Sequence, residues 1–208
     1  TSCKPSLEAL LQLSQRIMPK YYTIASSNVV HPDKIRIAIS LTCENGKYGF
    51  NSNFLRLAQP GDECNIFVKD SMFSMKNDKP MIMIGPGTGV VPFIGFIEEM
   101  SLNPPVQNKN HLFFGCRDEQ KDFIFGEILK SSSTVVQNLH LAFSRTDKKY
   151  VQDLMIKDEL MPLIDAGAYI YICGNTKMGQ DVQTLLKEWL GGSIKPIEQR
   201  LVKELWSN

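Results

Sequence analysis

Met81-Ile82-Met83-Ile84-Gly85-Pro86-Gly87-Thr88-Gly89-Val90-Val91-Pro92 runs four large apolar residues into a glycine-rich turn and then a proline. Four apolar residues without polar alternation fit a strand covered on both faces, as in a parallel sheet. Pro92 suits the first turn of a helix, where its missing N–H costs little. Strand, glycine turn and helix in that order aim backbone amides at one point, and glycine lets that backbone approach a phosphate closely. Thr88 adds a hydroxyl donor. The spacing differs from GxGxxG, and taken alone the stretch also fits a plain tight turn between strand and helix.

Downstream the same grammar repeats. His111–Gly115, Leu139–Phe143 and Tyr169–Cys173 read as further buried strands. Helices are expected near Val91–Met100, Phe123–Lys130, Val151–Ile164 and Met178–Leu190, and Glu198 to Leu205 reads as helical nearly up to Trp206. Alternation of this kind predicts an α/β domain over residues 80–208, with a five-stranded parallel nucleotide-binding sheet in flavodoxin-like order and helices on both faces. Upstream the pattern changes. Tyr21–Ala25, Ile35–Leu41 and Cys64–Val68 are short, β-branched and aromatic, so residues 20–79 are expected to form a partial antiparallel β region. Asn53–Ala58 could add one or two helical turns before Pro60-Gly61. Leu7, Leu10, Leu11, Leu13 and Ile17 mark one face of a helix within residues 1–19.

The bulk properties exclude several classes of function. Among 208 residues, 23 Lys+Arg against 22 Asp+Glu leave a net charge of +1, too little to attract nucleic acid or an anionic membrane. The most apolar stretch, Met81 to Ile97, is cut by six glycines and prolines and cannot be a spanning helix. Thr1 to Leu11 lacks the basic head and apolar run of a signal peptide. Five cysteines without a CxxC pair point to a reducing compartment. His31, His111 and His140 are scattered without metal-ligand spacing, so no metal is expected.

Ser144-Arg145 follows the third strand of the α/β domain and is trailed by Lys148, Tyr150 and Gln152. A basic and hydroxyl-bearing cluster at the carboxyl end of a parallel strand suits a terminal phosphate, which selects NADP over NAD. In isolation, Arg145 and Lys148 also read as ordinary surface charges. Cys173-Gly174 closes the fourth strand on the same edge, where a lone cysteine is more often a small buried residue than a reactive one.

Tyr21-Tyr22-Thr23-Ile24-Ala25-Ser26-Ser27, Gly85-Pro86-Gly87-Thr88-Gly89, Phe114-Gly115-Cys116-Arg117, Ser144-Arg145 with Lys148-Lys149-Tyr150-Val151-Gln152, Tyr171-Ile172-Cys173-Gly174 and Trp206 occur in one order. That order resembles the ferredoxin–NADP reductase superfamily. Within it, Leu7 to Trp206 resembles the carboxyl-terminal module of the diflavin reductase family, whose members include the NADPH–cytochrome P450 reductases. The resemblance implies an oxidoreductase that passes hydride from NADPH to FAD, with electrons then going to FMN and a haem protein such as a cytochrome P450.

By position, Tyr22 would pack on the isoalloxazine and the Thr23 hydroxyl would lie near flavin N5. Lys20 stands where the family has Arg and would face the flavin pyrophosphate, with Gly49, Asn51 and Ser52 forming the second flavin-phosphate turn. Gly87 and Thr88 would hold the NADP pyrophosphate, and Arg117 would lie along the adenosine. Ser144, Arg145, Lys148, Tyr150 and Gln152 would surround the 2′-phosphate. Cys173 would sit beside the nicotinamide, Asn175 replaces a usual Asp, Glu204 supplies an acid, and Trp206 shields the flavin. Thr23, Cys173, Glu204 and Trp206 are thus the expected catalytic group.

The resemblance further implies that Thr1–Pro19 ends a connecting helical insert and that early barrel strands and an FMN domain lie outside this sequence. The chain is therefore expected to be a fragment, cut or engineered, in which FAD is weakly held or absent. The expected partners are the FMN domain of the parent chain and a haem-protein acceptor, with no nucleic acid and no membrane contact by this fragment. The setting would be the reducing, cytoplasmic side, with the parent anchored to the endoplasmic reticulum by a segment not present here. Two alternatives stay open: a single-flavin reductase serving ferredoxin, and an NADPH-binding module with no redox role.

Overall fold

Strand β3 (Met81–Ile84) is buried at every position, and the rest of the α/β region is built outward from it. The structure, a computed structural model, describes residues 4–14, 18–105 and 109–207. The Ile17 end of the expected first helix lies outside the described residues, and α1 covers Leu7–Leu13. Strands β4 (His111–Cys116), β5 (Asn138–Phe143), β6 (Tyr169–Asn175) and β7 (Leu201–Trp206) join β3 in one parallel sheet of order β5-β4-β3-β6-β7.

Side-chain alternation divides the core in two. Met81, Met83, Leu112, Phe114, Tyr171 and Cys173 face α3 (Val91–Leu102). Ile82, Ile84, Phe113, Ile170 and Ile172 face α6 (Lys157–Asp165) and α7 (Thr176–Trp189). Helices therefore cover both faces, as the alternating strands and helices require.

The strand order is not the flavodoxin-like one. After β4 the chain adds β5 on the outside, then crosses β3 to place β6 on the other flank. The residues explain the choice. Asn138-Leu-His-Leu-Ala-Phe carries polar side chains and stays half-buried, as an edge strand can, whereas Ile170 to Cys173 is fully buried and needs a neighbour on each side. The change of direction falls between β3 and β6, the crevice where open α/β sheets take their ligands.

The expected helix at Glu198–Leu205 is also corrected. A 3₁₀ segment covers Lys195–Arg200, and the chain then pairs with β6 from Ile170↔Leu201 to Asn175↔Trp206. Leu201 and Leu205 pack on one core while Val202 and Trp206 pack on the other, so period-two burial overrides the helical propensity of Glu, Lys and Leu. Val151–Ile164 likewise splits into a 3₁₀ segment, Val151–Leu154, and α6. Before it, the helix expected at Phe123–Lys130 is reduced to α5 (Gly126–Lys130), which the left-handed Phe125 precedes, and a short α4 (Glu119–Asp122) stands ahead of that range.

Residues 20–79 hold less regular structure than expected. Tyr21–Ala25 and Ile35–Leu41 meet in a single antiparallel bridge, Ile24↔Ile37, with Ala25 N–H donating to the Arg36 carbonyl at 2.7 Å. Cys64–Val68 forms no strand; Ile66, Phe67 and Val68 are exposed, and Phe67 meets the edge of the Tyr21 ring. A hairpin not foreseen joins β1 (Cys43–Glu44) to β2 (Lys47–Tyr48) through Asn45-Gly46, both left-handed. Helix α2 (Phe50–Leu57) follows, starting earlier than expected.

Two polar joints hold this region on the sheet. Glu98 of α3 accepts from the Arg36 guanidinium at 2.6 Å and from Ser27 N–H at 3.1 Å. The Tyr171 hydroxyl donates to the Ser74 carbonyl at 3.0 Å and accepts from Lys76 N–H at 2.9 Å, within a cluster of Phe73, Phe93 and Phe96 rings. Tyr171→Phe keeps the rings but strands the Ser74 and Lys76 backbone groups, so it should cost about 1–3 kcal/mol in urea unfolding. An unchanged midpoint would mean that this joint does not hold residues 73–76 in place.

Candidate functional site

The turn after β3 is seated directly on the end of β6. A Cβ on Gly89 would fall 2.1 Å from the Cys173 carbonyl oxygen, and one on Gly85 would fall 2.4 Å from the Gly89 carbonyl oxygen. Gly85 N–H donates to Phe113 O and Gly89 N–H to Pro86 O, both at 2.9 Å, so the turn is hydrogen-bonded as well as tight. Gly87 has φ +55°, and nothing lies within 4 Å of where its Cβ would be. Its backbone faces open space at the amino end of the segment that leads into α3. Glycine there leaves the backbone open to close approach by a phosphate.

Beside it, the β4–β5 ladder continues past the strands: Ser144 N–H donates to Cys116 O at 3.0 Å, and Arg145 N–H to Arg117 O at 2.9 Å. Arg117 and Arg145 are thereby neighbours at the carboxyl edge. The Arg117 guanidinium is exposed and pairs with Asp122 at 3.3 Å. Arg145 and Lys148 form no ion pair with a described residue, and both are exposed. Lys148 stands at φ +52°, a left-handed turn that brings the chain back toward Tyr150. Tyr150 is exposed, with its N–H donating to Asp153 at 2.8 Å. Behind them, the buried Gln152 Oε1 has no hydrogen-bond partner among the described residues. A buried acceptor without a donor is costly, which suits a group completed by a ligand.

The third part of the edge is the end of β6 and β7. Their register sets Cys173 opposite Glu204 and Asn175 opposite Trp206. Thr23, from the other region, donates its hydroxyl to Glu204 at 2.5 Å. Burial, and secondarily the Glu204 charge, push the Cys173 thiol far above its ordinary pKa, so it stays a neutral thiol. Asn175 is spent on structure: its side chain accepts from Met178 N–H at 2.8 Å and caps α7. Trp206 is half-buried against the α3-side core at the end of a strand. Tyr22 keeps 36% of its surface exposed, and Lys20 is exposed.

The proposed second phosphate turn is more self-contained than its motif suggests. Gly49 caps α2, and its N–H donates to Thr42 O at 3.0 Å. The buried Ser52 hydroxyl lies 3.1 Å from the Thr42 hydroxyl and donates to Gly49 O at 3.2 Å. Ser52 therefore fixes the turn, while the amides of Phe50 and Asn51 remain at the helix start. A group that sequence spacing did not reveal lies elsewhere: parallel register brings His111 and His140 beside Glu159. Among the described residues, no helix is long and apolar enough to cross a membrane.

Residues 83–184 match the family described as the oxidoreductase NAD-binding domain. The chain is 36% identical over 205 residues to the human NADPH–cytochrome P450 reductase, covering 88% of this chain and 30% of that protein. It is 35% identical to bifunctional cytochrome P450/NADPH–P450 reductase 1 of Bacillus subtilis, covering 90% of this chain and 19% of that protein. The chain thus spans under a third of the length of these relatives. A ferredoxin–NADP+ reductase from Plasmodium falciparum shares the fold at a TM-score of 0.73 and 23% identity, covering 89% of this chain and 76% of that one. That enzyme solved with 2′P-AMP aligns at a TM-score of 0.65 and 21% identity.

The thiol environments make a checkable pattern. Cys43 and Cys64 are exposed, while burial, with Asp122 adding to it, pushes Cys116 up to about 11 and burial shields Cys173. Iodoacetamide at mildly alkaline pH, followed by peptide mass mapping, should label Cys43 and Cys64 well before Cys116 and Cys173. Labelling of Cys173 at the rate of Cys43 would contradict a closed, neutral thiol at the end of β6.

Proposed function

We propose that this chain, a module of the NADPH–cytochrome P450 reductase family whose residues 83–184 are an oxidoreductase NAD-binding domain, binds NADPH along the carboxyl edge of its sheet and delivers hydride to FAD beside Tyr22. The observation that carries this reading is that Arg145 and Lys148, exposed after the carboxyl end of β5, have no ion-pair partner among the described residues, on the edge of the sheet that also ends in Cys173 and Glu204. Two exposed cations with no ion-pair partner among the described residues fit the 2′-phosphate of NADP better than they fit NAD.

Each residue then has a physical task. The amides at Gly87 and Thr88, with the Thr88 hydroxyl, hold the pyrophosphate. Ser144, Arg145, Lys148 and Tyr150 surround the 2′-phosphate, Gln152 accepts from the adenosine end, and Arg117, turned from Asp122, lies along it. When bound, the cofactors supply the redox chemistry, hydride leaving the nicotinamide C4 for flavin N5. The Thr23 hydroxyl donates to Glu204 beside that point, and the neutral Cys173 thiol gives the nicotinamide a small, soft neighbour. Trp206, at the end of an edge strand, would shield the flavin face and give way to the nicotinamide. Catalysis here is placement and electrostatics.

On the flavin side, Tyr22, Lys20 and the amides at Gly49 and Asn51 would hold the ring and pyrophosphate, with Ser52 bracing the turn. A region with one bridge and one hairpin leaves that cradle open, so FAD is weakly held in this chain. In the larger protein, electrons pass on to an FMN domain and a haem protein. The setting is reducing and cytoplasmic, with Cys43 and Cys64 as exposed thiols.

Calorimetry tests the nucleotide half. NADP+ should bind far more tightly than NAD+, and Arg145→Ala should weaken NADP+ by roughly 10- to 150-fold, the equivalent of about 1.5–3 kcal/mol for a charge-assisted contact, while leaving NAD+ unaltered. Equal affinities for both nucleotides would overturn the site. The redox half is tested by adding FAD and following NADPH oxidation by ferricyanide. Turnover that appears only with added FAD supports hydride transfer with a loosely held flavin; none at saturating FAD would leave a nucleotide-binding module without redox role.

A further inference from the structure

At the other end of the sheet and on its other face, three potential metal ligands meet. His111 opens β4, His140 lies in β5, and Glu159 lies on α6, which covers both strands. The register pairs His111 with Asn138 and Phe113 with His140, so the two histidines are diagonal neighbours on the α6 side. His111 Nδ1 stands 3.2 Å from His140 Nε2 and 3.5 Å from Glu159 Oε1, and His140 Nε2 is 3.9 Å from the same oxygen. In a tetrahedral zinc site with bonds near 2.0–2.1 Å, ligand atoms are separated by about 3.3–3.4 Å. The three separations fall close to that triangle.

We propose that His111 Nδ1, His140 Nε2 and the Glu159 carboxylate form a binding site for a divalent first-row transition ion such as Zn2+, with water completing the tetrahedron. This proposal is independent of the nucleotide reading. Imidazole and carboxylate are a suitable donor set for such an ion, and one carboxylate offsets half its charge. Imidazole ligates such an ion in its neutral form, here through the ring nitrogens that face Glu159. The rings are already ordered: His140 stacks on Phe113 at 4.1 Å between centroids, and His111 is buried.

Asn138 stands behind the group, its amide 3.2 Å from His111 Nε2 and 3.3 Å from Glu159. With an ion on Nδ1, the His111 proton resides on Nε2, and a half-turn of the Asn138 amide presents its oxygen to it. Such supporting contacts orient metal-bound imidazoles. The ion would clip β4, β5 and α6 together. Six residues of β4 at about 3.3 Å each separate His111 from Arg117, so the clip lies roughly 20 Å from the nucleotide edge.

The test uses the whole chain, stripped with a chelator and titrated with Zn2+ by calorimetry and thermal unfolding. One ion should bind per chain, and the melting temperature should climb with free Zn2+ as expected for a ligand of the native state. Two variants keep the fold readable: Glu159→Gln changes a half-exposed side chain, and His140→Phe keeps the stack on Phe113. Each should weaken Zn2+ by more than about 100-fold, beyond the loss of a supporting contact alone, while NADP+ affinity holds. Absence of saturable binding, or Zn2+ bound equally by both variants through exposed Cys43 and Cys64, would overturn the site.

Discussion

Everything at the carboxyl edge depends on how closely the turn after β3 sits against the end of β6. With the Cys173 carbonyl 2.1 Å from where a Gly89 side chain would start, no other residue fits there without moving one strand end from the other. The contact crosses the point where the sheet changes direction. It sets the distance between the amides at Gly87 and the thiol of Cys173, the span that the proposed dinucleotide would have to match. Gly85 repeats the constraint inside the turn, which is why two glycines are fixed sterically while Gly87 is left open.

From that contact the two faces of the sheet diverge in role. The α3 face carries Cys173 and Trp206, with Glu204 opposite Cys173 and hydrogen-bonded to Thr23 of the upstream region. Glu98 and Tyr171 lock that region onto the same face through Ser27, Arg36 and residues 74–76. The α6 face is closed by Leu160 and Ile164, and at its amino end holds the His111, His140 and Glu159 group. The Cys173–Glu204 group and the His111–His140–Glu159 group thus lie on opposite faces of one sheet, toward opposite ends.

Most of this was legible where burial is two-sided. Met81–Ile84 and Tyr169–Cys173 announce central strands because no polar residue interrupts them, and Gly85–Gly89 announces the turn. The place of Ser144-Arg145 at the carboxyl end of β5 was legible because a parallel strand ends there. The flavodoxin-like order failed because strand order is set by which strand needs two neighbours, a property that becomes visible only when β5 is seen half-buried. Glu198–Leu205 reads as helical because its residues favour a helix in isolation, yet Leu201–Trp206 becomes a strand through pairing with β6. The hairpin at Asn45-Gly46 does carry a local signal, since both residues accept the left-handed conformation that a two-residue turn requires. His111 and His140 could not have been joined from the sequence, since 28 intervening residues separate them and only the β4–β5 register makes them neighbours.

The central claim is that one dinucleotide lies across the carboxyl edge from Arg145 to Cys173. Backbone amide NMR of the isotopically labelled chain, titrated with NADP+, tests it most directly. Shifts should cluster at Gly85–Val91, at Arg117, at Ser144–Gln152 and at Cys173–Asn175, and should saturate together with a single dissociation constant. Shifts confined to one of these segments, or centred on another surface, would contradict the account.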